Sequence, residues 1–251
     1  MKKKNKAIYL LFLMPFVYFA TACFVVWLVK TSGIYPSGSD TMYHVYRGDY
    51  VYNAIKSGNW YPLYDPAWYN GVEILRYWSP FPAYVMAFCQ YLAGGSQFGA
   101  YLFYIGGVCF LGACVWPFIG RGFNRPYLGA FIGLLWFFMP NNLCAIFIEG
   151  NLARSLSMIF LPVFIYSVYK YLYNHKLRYI PLMVFTFLLM ELCHLGYAGM
   201  VAIAVIIYGI VYIIQKGRKK AVLDVVISMI FGFMLLGIWL VASLRGGITS
   251  L

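Results

Sequence analysis

The sequence predicts an all-α polytopic membrane protein. Two features of composition and one of pattern decide it. Of 251 residues, 63% are hydrophobic and only 10% are charged, against roughly 45–50% and about 25% in soluble domains. The apolar runs are long and lack the period-2 alternation of an outer-membrane barrel. Helices then satisfy every backbone polar group inside the lipid. The net charge of +12 reads as membrane topology rather than nucleic-acid binding, because Lys and Arg mark the loops on one side of a bilayer. Cysteines at 23, 89, 109, 114, 144 and 193 all fall inside apolar runs and form no C-x-x-C pair. They read as small hydrophobes, not as disulfides or zinc ligands.

The chain reads as a single membrane domain over 1–251, with a first span at 8–29, an outer loop at 30–79 and the remaining helices over 80–251. The start, "MKKKNKAIYLLFLMPFVYFATACFVVWLV", has the basic n-region of a signal peptide. Its apolar part is too long for one and no small-x-small cleavage site follows, so it is an uncleaved span. Further apolar runs occupy 80–94, 98–119, 127–147, 155–173, 179–196, 198–215 and 222–243. The expected architecture is about seven transmembrane helices, a short dipping helix at 80–94 and an amphipathic helix on the outer face.

Four basic clusters set the orientation. They are Lys2, Lys3, Lys4 and Lys6; Arg121 and Arg125; Lys170, Lys176 and Arg178; and Lys216, Arg218, Lys219 and Lys220. With all four in the cytoplasm, 13 of 19 basic residues are inside, as the positive-inside rule expects. The N-terminus is then cytoplasmic. Segment 30–79, "EGN" at 149–151, the turn at 194–199 and the C-terminal "RGGITSL" are then outside. This requires 80–94 to dip into the outer face without crossing. The alternative, two full crossings, places "GRGFNR" and the later basic clusters outside.

The outer segment is rich in chemistry. It holds twelve Tyr and Trp residues, an interfacial belt or a platform for sugar rings and isoprenoid tails. "TMYHVYRGDYVYNAIKSGNW" predicts a surface helix from Thr41 to Ser57, ended by Gly58. Met42, Tyr46, Tyr50 and Ile55 are expected on one side, with Arg47, Asn53 and Lys56 elsewhere.

The chain has only seven acidic residues, and an acid in or against a membrane is a functional candidate. Asp40 is placed as the N-cap of the surface helix. His44, four residues on, shares its helical face, so the two form a base and an orienter or ligate a metal ion. Asp49 lies on the far side of that helix. Glu149 opens the second outer loop, where a carboxylate favours a helix start or serves as a second acid facing Asp40. Arg154 is then suited to a phosphate, since its planar fork donates paired hydrogen bonds. Glu191 and His194 sit near the outer end of their span, as packing glue or as part of the same cavity. Asp224 is expected in an ion pair beside "KGRKK".

The run "SGNWYPLYDPAWYNGVEILRYWSPFPAYV" resembles the "G-x-w-P-x-w…G…y-s-P-x-x-y" stretch of polytopic membrane glycosyltransferases of the GT-C superfamily. It is most similar to the bacterial membrane family named 6-pyruvoyl-tetrahydropterin synthase-related. "IEGNLARSLSMIFLPVFIYSVY" resembles that family's second block, an acidic outer loop running into an "L-x-P" span. No zinc-binding histidine cluster of a soluble pterin enzyme accompanies it.

The resemblance implies a GT-C-like fold in the bacterial plasma membrane. It also implies sugar transfer from a polyprenyl-phosphate donor to an envelope acceptor on the outer face. Asp40 and Glu149 are the implied catalytic acids and, with a divalent Mg or Mn ion, the implied metal ligands. His44, Arg47, Trp60, Tyr77, Arg154 and His194 are the expected substrate contacts. Relatives of this kind are longer, so the C-terminus reads as truncated. A non-catalytic envelope-assembly protein of the same fold, or a transporter or flippase, are the alternatives. Transporters carry paired repeats and charges at the midplane, whereas these acids gather at one face and no internal repeat is visible.

Overall fold

A computed structural model describes residues 2–68 and 70–248, with side chains over 12–68 and 70–244. The side chains of the first basic cluster and the end of "RGGITSL" lie outside the described residues. Ten α-helices make up the described chain: α1 Lys2–Ser32, α2 Thr41–Lys56, α3 Phe81–Leu92, α4 Gln97–Gly122, α5 Pro126–Leu135, α6 Pro140–Leu143, α7 Leu152–Asn174, α8 Tyr179–Cys193, α9 Leu195–Lys216 and α10 Lys219–Ile248. The protein is all-α and polytopic. Six stretches are long and apolar enough to cross a membrane: Phe12–Ser32, Gln97–Gly122, Pro126–Ile148, Leu152–Asn174, Leu195–Lys216 and Lys219–Leu244.

Two expectations change in detail. The span expected at 179–196 is the shorter helix Tyr179–Cys193, stopped where His194 turns extended. The span expected at 127–147 is broken into α5, a 3-10 turn at Trp136–Phe138, α6 and a π-helix at Cys144–Ile148. Pro140 is the cause. The residue before a proline is driven out of the helical region, and Met139 is extended at φ −62°, ψ 121°.

The chain forms two compact units, Met1–Pro62 with Pro82–Ile159, and Leu63–Phe81 with Phe160–Leu251. In the first, α1, α4 and α5 pack together through small residues. A Cβ on Gly120 would lie 2.6 Å from the Gly129 Cα, and one on Gly133 would lie 2.4 Å from the Tyr18 hydroxyl. Close approach of this kind drives helix association where lipid removes the hydrophobic force. The Tyr18 hydroxyl donates to the Ala130 carbonyl at 2.8 Å, and Tyr104 donates to the Leu152 carbonyl at 2.8 Å, tying α4 to the start of α7.

The second unit is built on α8, α9, α10 and the rest of α7, around Phe164, Val168, Met183, Phe187, Val225 and Met229. Its segment 63–81 is pinned to two helices. Trp239 Nε1 donates to the Leu75 carbonyl at 2.8 Å, Ser79 Oγ donates to the Glu191 carbonyl at 3.0 Å, and Ser243 Oγ bonds the Arg76 carbonyl.

The helix α2 runs from Thr41 to Lys56 with Ser57 as its C-cap and Gly58 at φ +88°, close to the expected range. Its packed face is now defined. Thr41, Val45, Arg47, Gly48 and Val51 are buried, while Met42 is exposed. Glycine explains the rotation. A Cβ on Gly48 would fall 2.2 Å from Met86 Cγ of α3, so the small-residue face makes the contact. Gln90 Nε2 of α3 also donates to Asp49 Oδ1 at 2.6 Å.

The helix α3 has twelve residues, about 18 Å of length against a hydrocarbon core of about 30 Å. Parity agrees with a helix that does not cross. The Asp40 amide donates to the Glu149 carbonyl at 3.0 Å, so both loops lie on one side. An even number of crossings must separate them, and Gln97–Gly122 with Pro126–Ile148 supply two.

Candidate functional site

The site grows from two short loops of the first unit that interlock. Asp40 closes the loop after α1 and holds the N-cap position of α2. Glu149 ends the π-helix, and Gly150 follows at φ +67°. A Cβ on Gly38 would lie 2.5 Å from the Gly150 amide, and one on Gly150 would lie 2.2 Å from Thr41 Oγ1. Only glycine permits this approach at both positions. The backbone bond from Asp40 to Glu149 is joined by Ser39 Oγ, which donates to the Glu149 carbonyl at 3.0 Å and to Asp40 Oδ1 at 3.3 Å.

The side chains of the two acids differ. Asp40 makes no side-chain cap bond to the helix it precedes, and it is exposed. Glu149 is engaged: its Oε2 meets Arg154 Nη1 at 2.7 Å, and its Oε1 accepts from Cys144 Sγ at 3.3 Å. Arg154 is held in turn at the start of α7, where its amide donates to Asn151 Oδ1 at 2.9 Å. Among the described residues, the buried Nε and Nη2 of Arg154 have no hydrogen-bond partner. Buried polar groups are nearly always paired, so such donors call for an explanation.

An apolar cavity of about 320 Å³ lies in the same unit. Thr21, Phe24 and Leu28 of α1, Trp136, Phe147 of the π-helix and Met158 of α7 line it. Phe147 and Ser155 bring its lining to within two residues of Glu149 and one of Arg154.

The other expected contacts are placed as follows. The His44 amide donates to the Asp40 carbonyl at 3.1 Å in the first turn of α2, and its ring lies edge-on to Tyr43 with centroids 5.6 Å apart. Arg47 is only 1% exposed, with its guanidinium 5.4 Å from the Tyr43 ring centroid. It is a packed cation. Burial lowers its pKa and Tyr43 opposes that shift; guanidinium nonetheless stays charged in proteins. Trp60 is 71% exposed, and its carbonyl accepts from the Tyr84 hydroxyl at 2.7 Å.

Tyr77 and His194 belong to the second unit. Tyr77 is exposed and packs edge-on to Trp78. His194 caps α9, its Nδ1 accepting from the Tyr197 amide at 3.0 Å. Glu191 is 2% exposed and its Oε2 has no hydrogen-bond partner among the described residues.

Among the described residues, no group of three His, Cys, Asp or Glu side chains is placed to hold a metal ion. Glu149 is also committed to Arg154. Of the two acids expected to hold Mg or Mn, Glu149 thus carries an ion pair and Asp40 is exposed.

Residues 75–251 match the family described as 6-pyruvoyl-tetrahydropterin synthase related domain; membrane protein. The chain belongs to that family. The matched stretch carries Tyr77, Glu149, Arg154 and His194, while Asp40, His44, Arg47 and Trp60 precede it. No curated protein and no solved structure matches the chain. Membership of this family of membrane proteins agrees with the resemblance carried by "EILRYWSPFPAYV" and "IEGNLARSLSMIF".

Sequence reasoning named Asp40, Glu149 and Arg154 as candidates but not the residues packed around them. Gly38, Ser39, Thr41 and Gly150 make the junction, and Cys144 touches Glu149. Their signal is a glycine within two residues of each acid, in "SGSDT" and "EGN".

Proposed function

We propose that the chain is a membrane glycosyltransferase of GT-C type. It moves a sugar from a polyprenyl-phosphate donor to an envelope acceptor on the outer face of the bacterial plasma membrane. The observation that carries this reading is Arg154. Its unpartnered Nε and Nη2 lie on the same residue that pairs Glu149, whose carbonyl is bonded to the Asp40 amide. A phosphate oxygen is the natural acceptor for such donors, because guanidinium binds phosphate in a planar, paired geometry.

The roles follow from charge. Asp40 takes the proton of the acceptor hydroxyl as general base. The acceptor oxygen forms a bond to the anomeric carbon while the bond from that carbon to the donor phosphate breaks. The leaving polyprenyl phosphate keeps the electron pair, and Arg154 stabilises the charge that builds on it. Glu149 positions Arg154. The apolar cavity beside the junction accommodates the first part of the isoprenoid tail.

The test is a transfer assay in membranes with a panel of polyprenyl-phosphate sugars, comparing D40N with the parent. Loss of transfer in D40N supports the reading. Equal transfer in both removes Asp40 from the mechanism. A parent inactive with every donor favours the non-catalytic envelope-assembly reading.

A further inference from the structure

A second cavity, this one polar, lies in the second unit, where α7 and α9 end and α10 begins. Tyr212 of α9 donates to the Leu172 carbonyl of α7 at 2.5 Å, which draws these ends together. The cavity has a volume of about 520 Å³ and is lined by Tyr171, His175, Arg218, Lys219, Lys220 and Asp224, with Gly217 and Ala221. This volume falls in the usual range of small-ligand sites.

Its charge is one-sided. Three cations face one carboxylate, and that carboxylate is already engaged, with the Tyr171 hydroxyl donating to Asp224 Oδ2 at 2.5 Å. The sequence suggested an ion pair for Asp224; the partner found is a tyrosine. Arg218 Nη1 is in contact with His175 Nε2, which sets two basic groups side by side. The side chains of Lys219 and Lys220 have no ion-pair or hydrogen-bond partner among the described residues. Both sit in the first turn of α10, which contains no acid. A helix N-terminus carries partial positive charge, so lysines there add repulsion that an anion would relieve. Two other cations near this end are occupied differently: Lys170 lies over Tyr166 at 5.6 Å and Arg178 over Tyr179 at 5.0 Å.

The surroundings are suited to a lipid. The helices α9 and α10 are apolar enough to cross a membrane. Leu177, Ile214, Leu223 and Ile227, each within three residues of a lining residue in the sequence, are exposed and offer apolar surface to acyl chains. Basic pockets between membrane helices are suited to anionic headgroups.

We propose that this cavity binds the phosphate headgroup of an anionic phospholipid from the surrounding bilayer. The assignment does not depend on the glycosyltransferase reading.

The test uses the purified full chain in detergent, titrated with phosphatidylglycerol and, separately, with phosphatidylcholine and inorganic phosphate. Native mass spectrometry reads the bound ligand. The parent should prefer phosphatidylglycerol to phosphatidylcholine. K219Q/K220Q should weaken that binding roughly tenfold or more, and K219R/K220R should restore it. K170Q/K176Q removes as much charge outside the cavity and should change binding by less than about twofold. In the parent, phosphatidylglycerol should also shield Lys219 and Lys220, but not Lys176, from an amine-reactive ester. This measurement stands even where a variant fails to fold. Equal weakening in both glutamine variants, no preference over phosphatidylcholine, or unshielded Lys219 and Lys220 would overturn the proposal. Binding of inorganic phosphate with the same variant pattern and none of the lipid would overturn the lipid source and leave a soluble anion site.

Discussion

Asp40 and Asp65 lie 25 residues apart in one aromatic segment, and the fold uses them in opposite ways. Asp65 is 2% exposed. Its Oδ1 accepts from the Ala67 amide at 2.9 Å, and its backbone pairs with Val72 in both directions at 2.9 Å. The carboxylate closes a turn on itself, as short acidic side chains do. Asp40 sits at a helix start yet does not cap it. Its backbone is held by Glu149 and its carboxylate is left at the surface. The comparison separates an acid consumed by architecture from one positioned by architecture and kept available.

The largest expected effect tests that separation directly. D40N should lower sugar transfer by about 10²–10⁴-fold, the usual worth of a general base, while stability changes by less than about 0.5 kcal/mol, as for other surface positions. D65A should do the reverse. Loss of its buried acceptor leaves the Ala67 amide unpaired and costs about 1–3 kcal/mol, read as a lower midpoint of thermal unfolding in detergent. If D40N destabilises the protein as much as D65A does, Asp40 is a structural acid and the contrast collapses.

A pair of glycines sharpens it next. Gly33 at φ +68° and Gly150 at φ +67° share a left-handed backbone. A Cβ on Gly33 meets nothing within 4 Å, whereas one on Gly150 meets Thr41 Oγ1 at 2.2 Å. G33A should cost only the backbone preference, about 1 kcal/mol. G150A adds a clash at the junction and should cost about 1–3 kcal/mol, with loss of transfer. Equal stability and activity in the two variants would mean the junction yields without consequence.

Composition and charge made the class and the long spans legible, because about 20 apolar residues can do little else. The surface helix was legible at both ends through Gly58 and the run before it, but its rotation was not. Aromatic spacing divided the helix into sides without saying which one packs, and Gly48 against Met86 selects it. Periodicity weighs hydrophobicity, while this contact was decided by the absence of a side chain. The same limit hid the junction. Asp40, Glu149 and Arg154 stood out by rarity of charge, but Gly38 and Gly150 carry no chemistry and act only through how closely two backbones approach. The break at Pro140 was readable in principle, since Met139 must leave the helical region; the apolar residues on both sides of "PNN" masked it.

The smallest expected effect concerns His194, which the sequence offered as a substrate contact and the fold uses as a helix cap. Its Nδ1 accepts from the Tyr197 amide at 3.0 Å, so the imidazole does for α9 what Asp40 does not do for α2. H194A should cost about 1 kcal/mol through the lost cap, with transfer reduced only as far as folded protein is lost. H194N should recover most of that stability, because an asparagine oxygen reaches the same amide. The two variants also separate the roles. A cap is restored by any short acceptor, whereas a substrate contact through Nε2 is lost in both. A large fall in transfer in H194N with unfolding unchanged would return His194 to the site. It would also make the comparison between Asp40 and Asp65 a poor guide to which polar groups this fold leaves free.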